Sequence, residues 1–153
     1  MTGDPLIDET YAGLLEAFAA PVATPGGISA AALAAAMAAA LVERCAAAVP
    51  RIRSRAVLLR SELSTVADDD IGVLHALATA APDDRGAAAA AASGPAARLR
   101  DAATEVAGLA RTMERDGPPR LRGEALCAAL LAEAAAATGV AVIAANADYQ
   151  RLV

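Results

Sequence analysis

The chain has 153 residues, a net charge of −5 and a pI near 4.8. That length suits one domain, residues 1–153, and is short for two. An acidic chain that is 57% apolar but only 2% aromatic carries no basic stripe with stacking aromatics, which argues against nucleic acid as a partner. Alanine makes up nearly a third of the residues and β-branched side chains are scarce, so the expected class is all-α.

The expected architecture is an antiparallel up-and-down bundle of about five to six alanine-rich helices. Small side chains let helix axes approach to the short end of the usual ~8–10 Å range. Each alanine buries little area, so such a core is often completed by a second copy, and a homodimer is expected.

The N-terminus, Met1-Thr2-Gly3-Asp4-Pro5, has no basic start and no apolar run. No signal peptide is expected there, and the expected location is the cytoplasm. A first helix is expected from Pro5 to Ala20, with Leu6, Leu14, Leu15 and Phe18 as its apolar residues.

Thr24-Pro25-Gly26-Gly27-Ile28-Ser29 follows, directly before a long helical run. Proline biases the residue before it away from helix, and two glycines leave the helix entrance bare. The first N–H groups of a helix have no internal partner and carry the positive end of its dipole. Such an entrance can receive a carboxylate or phosphate. The plainer reading is a loop that turns into a helix with a Ser or Thr cap.

The second helix is expected over Ile28–Val49. Leu33, Met37, Leu41 and Cys45 fall four apart in one stripe, and alanine fills the other faces until Glu43-Arg44. A helix without a polar face is surrounded on all sides, so this one is expected at the centre. No charge occurs between Glu16 and Glu43. Pro21, Pro25 and Gly26-Gly27 interrupt that run, leaving a helical part of about 22 Å, short of a ~30 Å hydrocarbon core. No membrane partner is expected.

Pro50 ends that helix, and the third runs from Arg51 to Ala80. Its apolar positions step by four and three: Ile52, Ala56, Leu59, Leu63, Val66, then Asp70, then Val73 and Leu77. Asp70 therefore occupies a seam position, while Asp68 and Asp69 lie off it and are expected to be solvated. A carboxylate on a buried seam is costly unless it is paired or hydrogen-bonded. Asp70 either meets an arginine or lines a cavity. Glu43-Arg44 is either a helix-end pair, or Arg44 is that cation. Arg51, Arg53, Arg55 and Arg60 read as a solvated face. His75, the one histidine, lies off the seam in a half-exposed, non-catalytic position.

Pro82-Asp83-Asp84 closes the third helix. A short segment over Ala87–Ala92, a helix over Ala96–Arg115 and a last helix over Arg122–Tyr149 complete the chain. The breaks are Ser93-Gly94-Pro95 and Asp116-Gly117-Pro118-Pro119. Cys45 and Cys127 sit in helical apolar patterns and read as reduced core thiols. One histidine and two scattered cysteines build no metal site.

Several segments, taken in order, resemble one family. Pro25-Gly26-Gly27-Ile28-Ser29 before an alanine-rich helix resembles its glycine-rich entrance. Asp68-Asp69-Asp70 resembles its Asp-rich helical turn. Pro82 and Pro95 match its punctuation, and Glu124 to Ala135 with Asn146 beyond resembles its last helix. The family is the cyclodeaminase/cyclohydrolase group, which includes the cyclodeaminase domain of formiminotransferase-cyclodeaminase and methenyltetrahydrofolate cyclohydrolase. The resemblance runs from Leu6 to Asn146.

It implies an all-helical homodimer acting on a tetrahydrofolate derivative, with no covalently bound cofactor. It implies Asp70 and Glu124 as catalytic carboxylates, and Pro25, Gly26, Gly27, Ser29, Arg44 and Asn146 as ligand-binding residues. Four positions depart from the pattern. Ile28 stands for the third glycine, Ala46-Ala47-Ala48-Val49-Pro50 for a lysine-bearing stretch, Gly123-Glu124 for a Ser-Asp pair, and Val142 for the first Asn of a closing pair. The alternative is therefore a non-catalytic helical homodimer, a scaffold or small-molecule binder that keeps the fold without the activity. Glu124 and Asn146 lie about 33 Å apart along one straight helix, too far for both to touch one small ligand from one chain.

Overall fold

The computed structural model describes residues 5–22 and 24–150, the last two of them as backbone only. The expectation for Met1–Asp4 lies outside these residues. The described elements are helical: α1 (Tyr11–Ala19), α2 (Gly27–Cys45), α3 (Pro50–Thr79), α4 (Arg85–Ala91), α5 (Ser93–Asp116) and α6 (Arg122–Gln150). Single 3-10 turns stand at Leu6–Asp8, Pro82–Asp84 and Pro119–Leu121.

The N-terminal stretch expected as one helix is divided. Thr10 is extended, and its hydroxyl accepts the Gly13 N–H at 3.1 Å, capping α1 from outside. Leu6, on the preceding turn, is buried, and its N–H donates to Asp68 Oδ1 at 2.8 Å. Asp68 was expected in solvent; it is half-buried and anchors this segment to α3. The second helix stops at Cys45, earlier than its alanine content suggests. Ala46–Ala48 turn the chain, and Pro50 opens α3 as its first residue, where a missing N–H costs nothing.

Four long helices form an antiparallel up-and-down bundle. Ser29 meets Asp70 at one end of the α2–α3 pair, and Glu43 meets Arg60 toward the other. Asp69–Arg98 and Arg55–Glu105 fix α3 against α5 in the same sense, and Arg111–Glu133 fixes α5 against α6. The helices α2 and α5 also touch across the diagonal. That approach is possible because α2 presents Ala32, Ala35, Ala38 and Ala39 to the core, all fully buried. Leu59, Leu63 and Val66 of α3 and Leu99 and Val106 of α5 supply the bulk. At Gly139 of α6 an added Cβ would lie 2.7 Å from the Ala96 carbonyl oxygen of α5, so that contact requires the absence of a side chain.

Two expectations for α2 are corrected. It is not surrounded on all sides: on its Leu33–Met37–Leu41 stripe Met37 is 60% exposed, and Leu33 and Leu41 are half-buried. The alanine face goes inward, because larger side chains there would hold four axes apart. The helix is shorter than the expected Ile28–Val49, but its 19 residues span about 28 Å, more than the uncharged part alone, so length does not separate it from a membrane span. Both α2 and the stretch Pro119–Asp148 are long and apolar enough to cross a membrane, with mean hydropathies of 1.6 and 2.0. In α2 the alanine face of that apolar stretch is directed into the bundle core, while Met37 is exposed. In α6 much of it is exposed, at Leu126, Leu130, Leu131 and Val140.

Of the two thiols, Cys45 is buried while Cys127 is exposed, contrary to the core position expected for both. Burial pushes the Cys45 thiol above its ordinary range. His75 is exposed.

Candidate functional site

The candidate site is built where α2 begins. Pro25 is buried, and Gly26 caps the helix in an extended conformation without a side-chain bond of its own. The cap comes from α3 instead. Ser29 is the third residue of α2, and its N–H donates to Asp70 Oδ2 at 3.2 Å. The Ser29 hydroxyl lies 2.8 Å from the same oxygen and 2.9 Å from the Ala67 carbonyl oxygen. The seam spacing carries Asp70 inward, and the antiparallel neighbour receives it on an orphan N–H. The anion that a bare helix entrance invites is therefore a side chain of this protein, at least at Ser29.

Asp70 is 4% exposed and Ser29 is fully buried. Burial pushes the Asp70 carboxyl above the usual carboxylate range, while the hydroxyl and N–H of Ser29 pull it back. Both Ser29 bonds fall on Oδ2. Among the described residues no side-chain oxygen is both enclosed and unpartnered, so Oδ1, which takes no hydrogen bond there, keeps contact with solvent. One oxygen is fixed, and the other takes no hydrogen bond among the described residues.

The remaining candidates are divided between the bundle's two ends. Gly27 is exposed, and an added Cβ there would meet nothing within 4 Å, so close packing does not require this glycine. Arg44 is not the partner of Asp70. It pairs with Glu124 at 3.5 Å, about 22 Å along α2 from Ser29. Asn146 lies toward the Asp70 end, where its Nδ2 donates to the Ala92 carbonyl at 3.3 Å and ties α6 to the α4–α5 junction. The chain thus gathers Pro25, Gly26, Gly27, Ser29 and Asp70, and holds Arg44–Glu124 apart.

No cation approaches Asp70 among the described residues. Every one of the 13 basic residues is arginine, so no lysine elsewhere replaces the stretch that ends at Pro50. Arg55, Arg60, Arg98 and Arg111 are engaged in interhelical pairs on the surface. Nor does Asp70 open on the apolar groove beside it. That groove, about 340 Å³, lies between α1 and α2 and is lined by Leu6, Leu14, Phe18, Leu33 and Met37, with Arg60 at its edge. The partnership of Ser29 with Asp70 and the anchoring role of Asp68 were not foreseen. The alternation of Asp68 and Asp70 with the seam is the signal that separates their two faces.

An all-α antiparallel bundle with a buried carboxyl capping one core helix is the class that fold and site define. No family model matches the sequence, and no curated protein matches it. Among solved structures the chain is similar to formiminotetrahydrofolate cyclodeaminase from Thermotoga maritima. The TM-score is 0.87 at 18% identity, over 94% of this chain and 80% of that one. A likeness at that identity establishes the fold.

Proposed function

We propose that the chain is a cyclodeaminase/cyclohydrolase-like unit that handles a one-carbon group carried by tetrahydrofolate. The observation that carries this reading is the Asp70 carboxyl, buried at the entrance of α2 within a fold shared with a cyclodeaminase. Closing a formimino group with loss of ammonia, or adding water across a methenyl bridge, requires proton transfer at nitrogen. Both also pass through a cationic, amidine-like carbon, and a carboxyl group suits each task. Ser29 fixes Oδ2, and Oδ1 is the oxygen that exchanges a proton with the ligand. The N–H groups at Gly27 and Ile28, at the positive end of α2, favour an anionic part of the same ligand. The site in one protomer is Pro25, Gly26, Gly27, Ser29 and Asp70; Glu124 and Arg44 lie too far away to share it. No covalent cofactor is required, and the proposed setting is cytoplasmic.

The proposed assembly is a homodimer through the exposed face of α6. Between Ala125 and Ala147 the one charged residue of that helix is Glu133, and Arg111 engages it.

A second reading, the non-catalytic homodimer, is favoured by a specific observation: the hydrogen bonds of Asp70 are internal, and no cation stands near it. Titration with 5,10-methenyl- and 5-formimino-tetrahydrofolate, followed by ultraviolet absorbance, separates the two. Turnover supports the enzyme, binding without turnover supports the second reading, and failure to bind either compound overturns both folate roles.

A further inference from the structure

The Ser29 hydroxyl has one hydrogen and two acceptors at nearly equal distance, Asp70 Oδ2 at 2.8 Å and Ala67 O at 2.9 Å. It can bond only one of them at a time. Neither acceptor depends on it. The Ala67 carbonyl lies within α3, where the helix supplies a donor, and Oδ2 already accepts the Ser29 N–H.

We infer that Ser29 is the positioning residue for proton exchange at Asp70, its hydroxyl turning between Ala67 O and Asp70 Oδ2 as the carboxyl gains and loses a proton. When Oδ1 carries the proton, Oδ2 is an ordinary carbonyl oxygen satisfied by the N–H, and the hydroxyl hydrogen is free to turn to Ala67. When the Oδ1–H bond breaks, its electron pair stays on the carboxylate and the proton leaves through the solvent side. The hydroxyl hydrogen then turns to Oδ2, which now carries part of the charge. Both states are hydrogen-bonded and no heavy atom need move. A buried carboxyl without such a partner would be held in its neutral form.

The surroundings leave this exchange to Ser29. On α3, Asp68 is held by the Leu6 N–H, Asp69 is held by Arg98 of α5, and His75 is exposed. Helix α2 has no ionisable side chain between Gly27 and Leu41, and α6 has none between Glu133 and Asp148. Asp8, on the turn before α1, is exposed. The inference does not depend on the folate reading, because its test uses no ligand.

The test is a carboxyl-carbon NMR titration of aspartate-labelled whole chain, with the Ser29 amide followed in the same series. Asp70 should titrate above the exposed aspartates, and the Ser29 amide shift should move with the same midpoint. In S29A the Asp70 midpoint should move further up. A double-mutant cycle of S29A with D70N, read by urea midpoint, should show coupling above the Asp70 titration that fades below it. Coupling of equal size at every pH would make Ser29 a plain structural contact and overturn the inference. An Asp70 midpoint among those of the exposed aspartates would also overturn it. If S29A does not fold, a Ser29 amide that fails to track Asp70 in the unaltered protein overturns it equally.

Discussion

Replacing Asp70 by alanine and by asparagine asks whether the carboxyl caps α2. Asp70→Ala strands the Ser29 N–H, the last of the orphan donors, in a buried position. The Ser29 hydroxyl keeps Ala67 O, so one donor is lost rather than two. An unsatisfied buried N–H costs about 1–3 kcal/mol. At roughly 2–4 °C per kcal/mol for a chain of this size, the melting temperature should fall by about 2–12 °C. Asp70→Leu is less informative, because burying the leucine side chain returns about 1.5–3 kcal/mol and cancels the loss. Asp70→Asn keeps an acceptor for the N–H and carries no charge to desolvate, so at neutral pH it should melt no lower than the unaltered protein. The folded carboxyl titrates above its unfolded value, so the folded state binds the extra proton. The unaltered protein therefore loses stability as pH rises from the ordinary carboxyl range through the raised folded value. Asp70→Asn does not share that loss, and its advantage should grow with pH across that window and then level off. Thermal melts by circular dichroism between about pH 4 and 8 read both effects. An Asp70→Ala protein that melts with the parent at every pH, or an Asp70→Asn advantage that is flat in pH, would refute the capping argument.

Three further outcomes follow from packing. Gly139→Ala should destabilise by about 1–3 kcal/mol, because its Cβ would meet the Ala96 backbone of α5; a urea midpoint equal to the parent's would contradict the close approach. Gly27→Ala should fold normally and gain up to about 1 kcal/mol, since a Cβ there meets nothing and alanine prefers a helix; a lower melting temperature would show a hidden contact. Sedimentation should give twice the 15.2 kDa chain mass, and Leu130→Glu on the exposed face of α6 should return it to the single-chain value. A monomeric parent would remove the proposed dimer.

The parts of the fold that were legible rest on local rules. Alanine content, the proline and glycine breaks, and the four-three stepping around Leu59, Leu63 and Val66 place four long helices and put Asp70 inward. An all-apolar circumference does not mean a helix surrounded on all sides: in α2 Met37 is 60% exposed. In a bundle this tight the small face is the buried one, and that depends on the spacing of axes, which no single helix records. The site was half legible. The bare entrance and the seam carboxylate each stand out alone, but that they meet depends on the antiparallel register of α2 and α3, across 41 residues. For the same reason Arg44 was open as a partner for Asp70: both lie on neighbouring helices, and only the register puts them at opposite ends.

The central claim, that Asp70 transfers a proton to a folate-borne one-carbon unit, is tested most directly by comparing two proteins. The decay of 5,10-methenyltetrahydrofolate absorbance and the release of ammonia from 5-formiminotetrahydrofolate should be followed with the unaltered chain and with Asp70→Asn, both shown to be folded. The account predicts turnover of one of these compounds by the unaltered chain and a fall of about 10²-fold or more in Asp70→Asn. Equal rates in the two proteins, or no turnover by either, would contradict it.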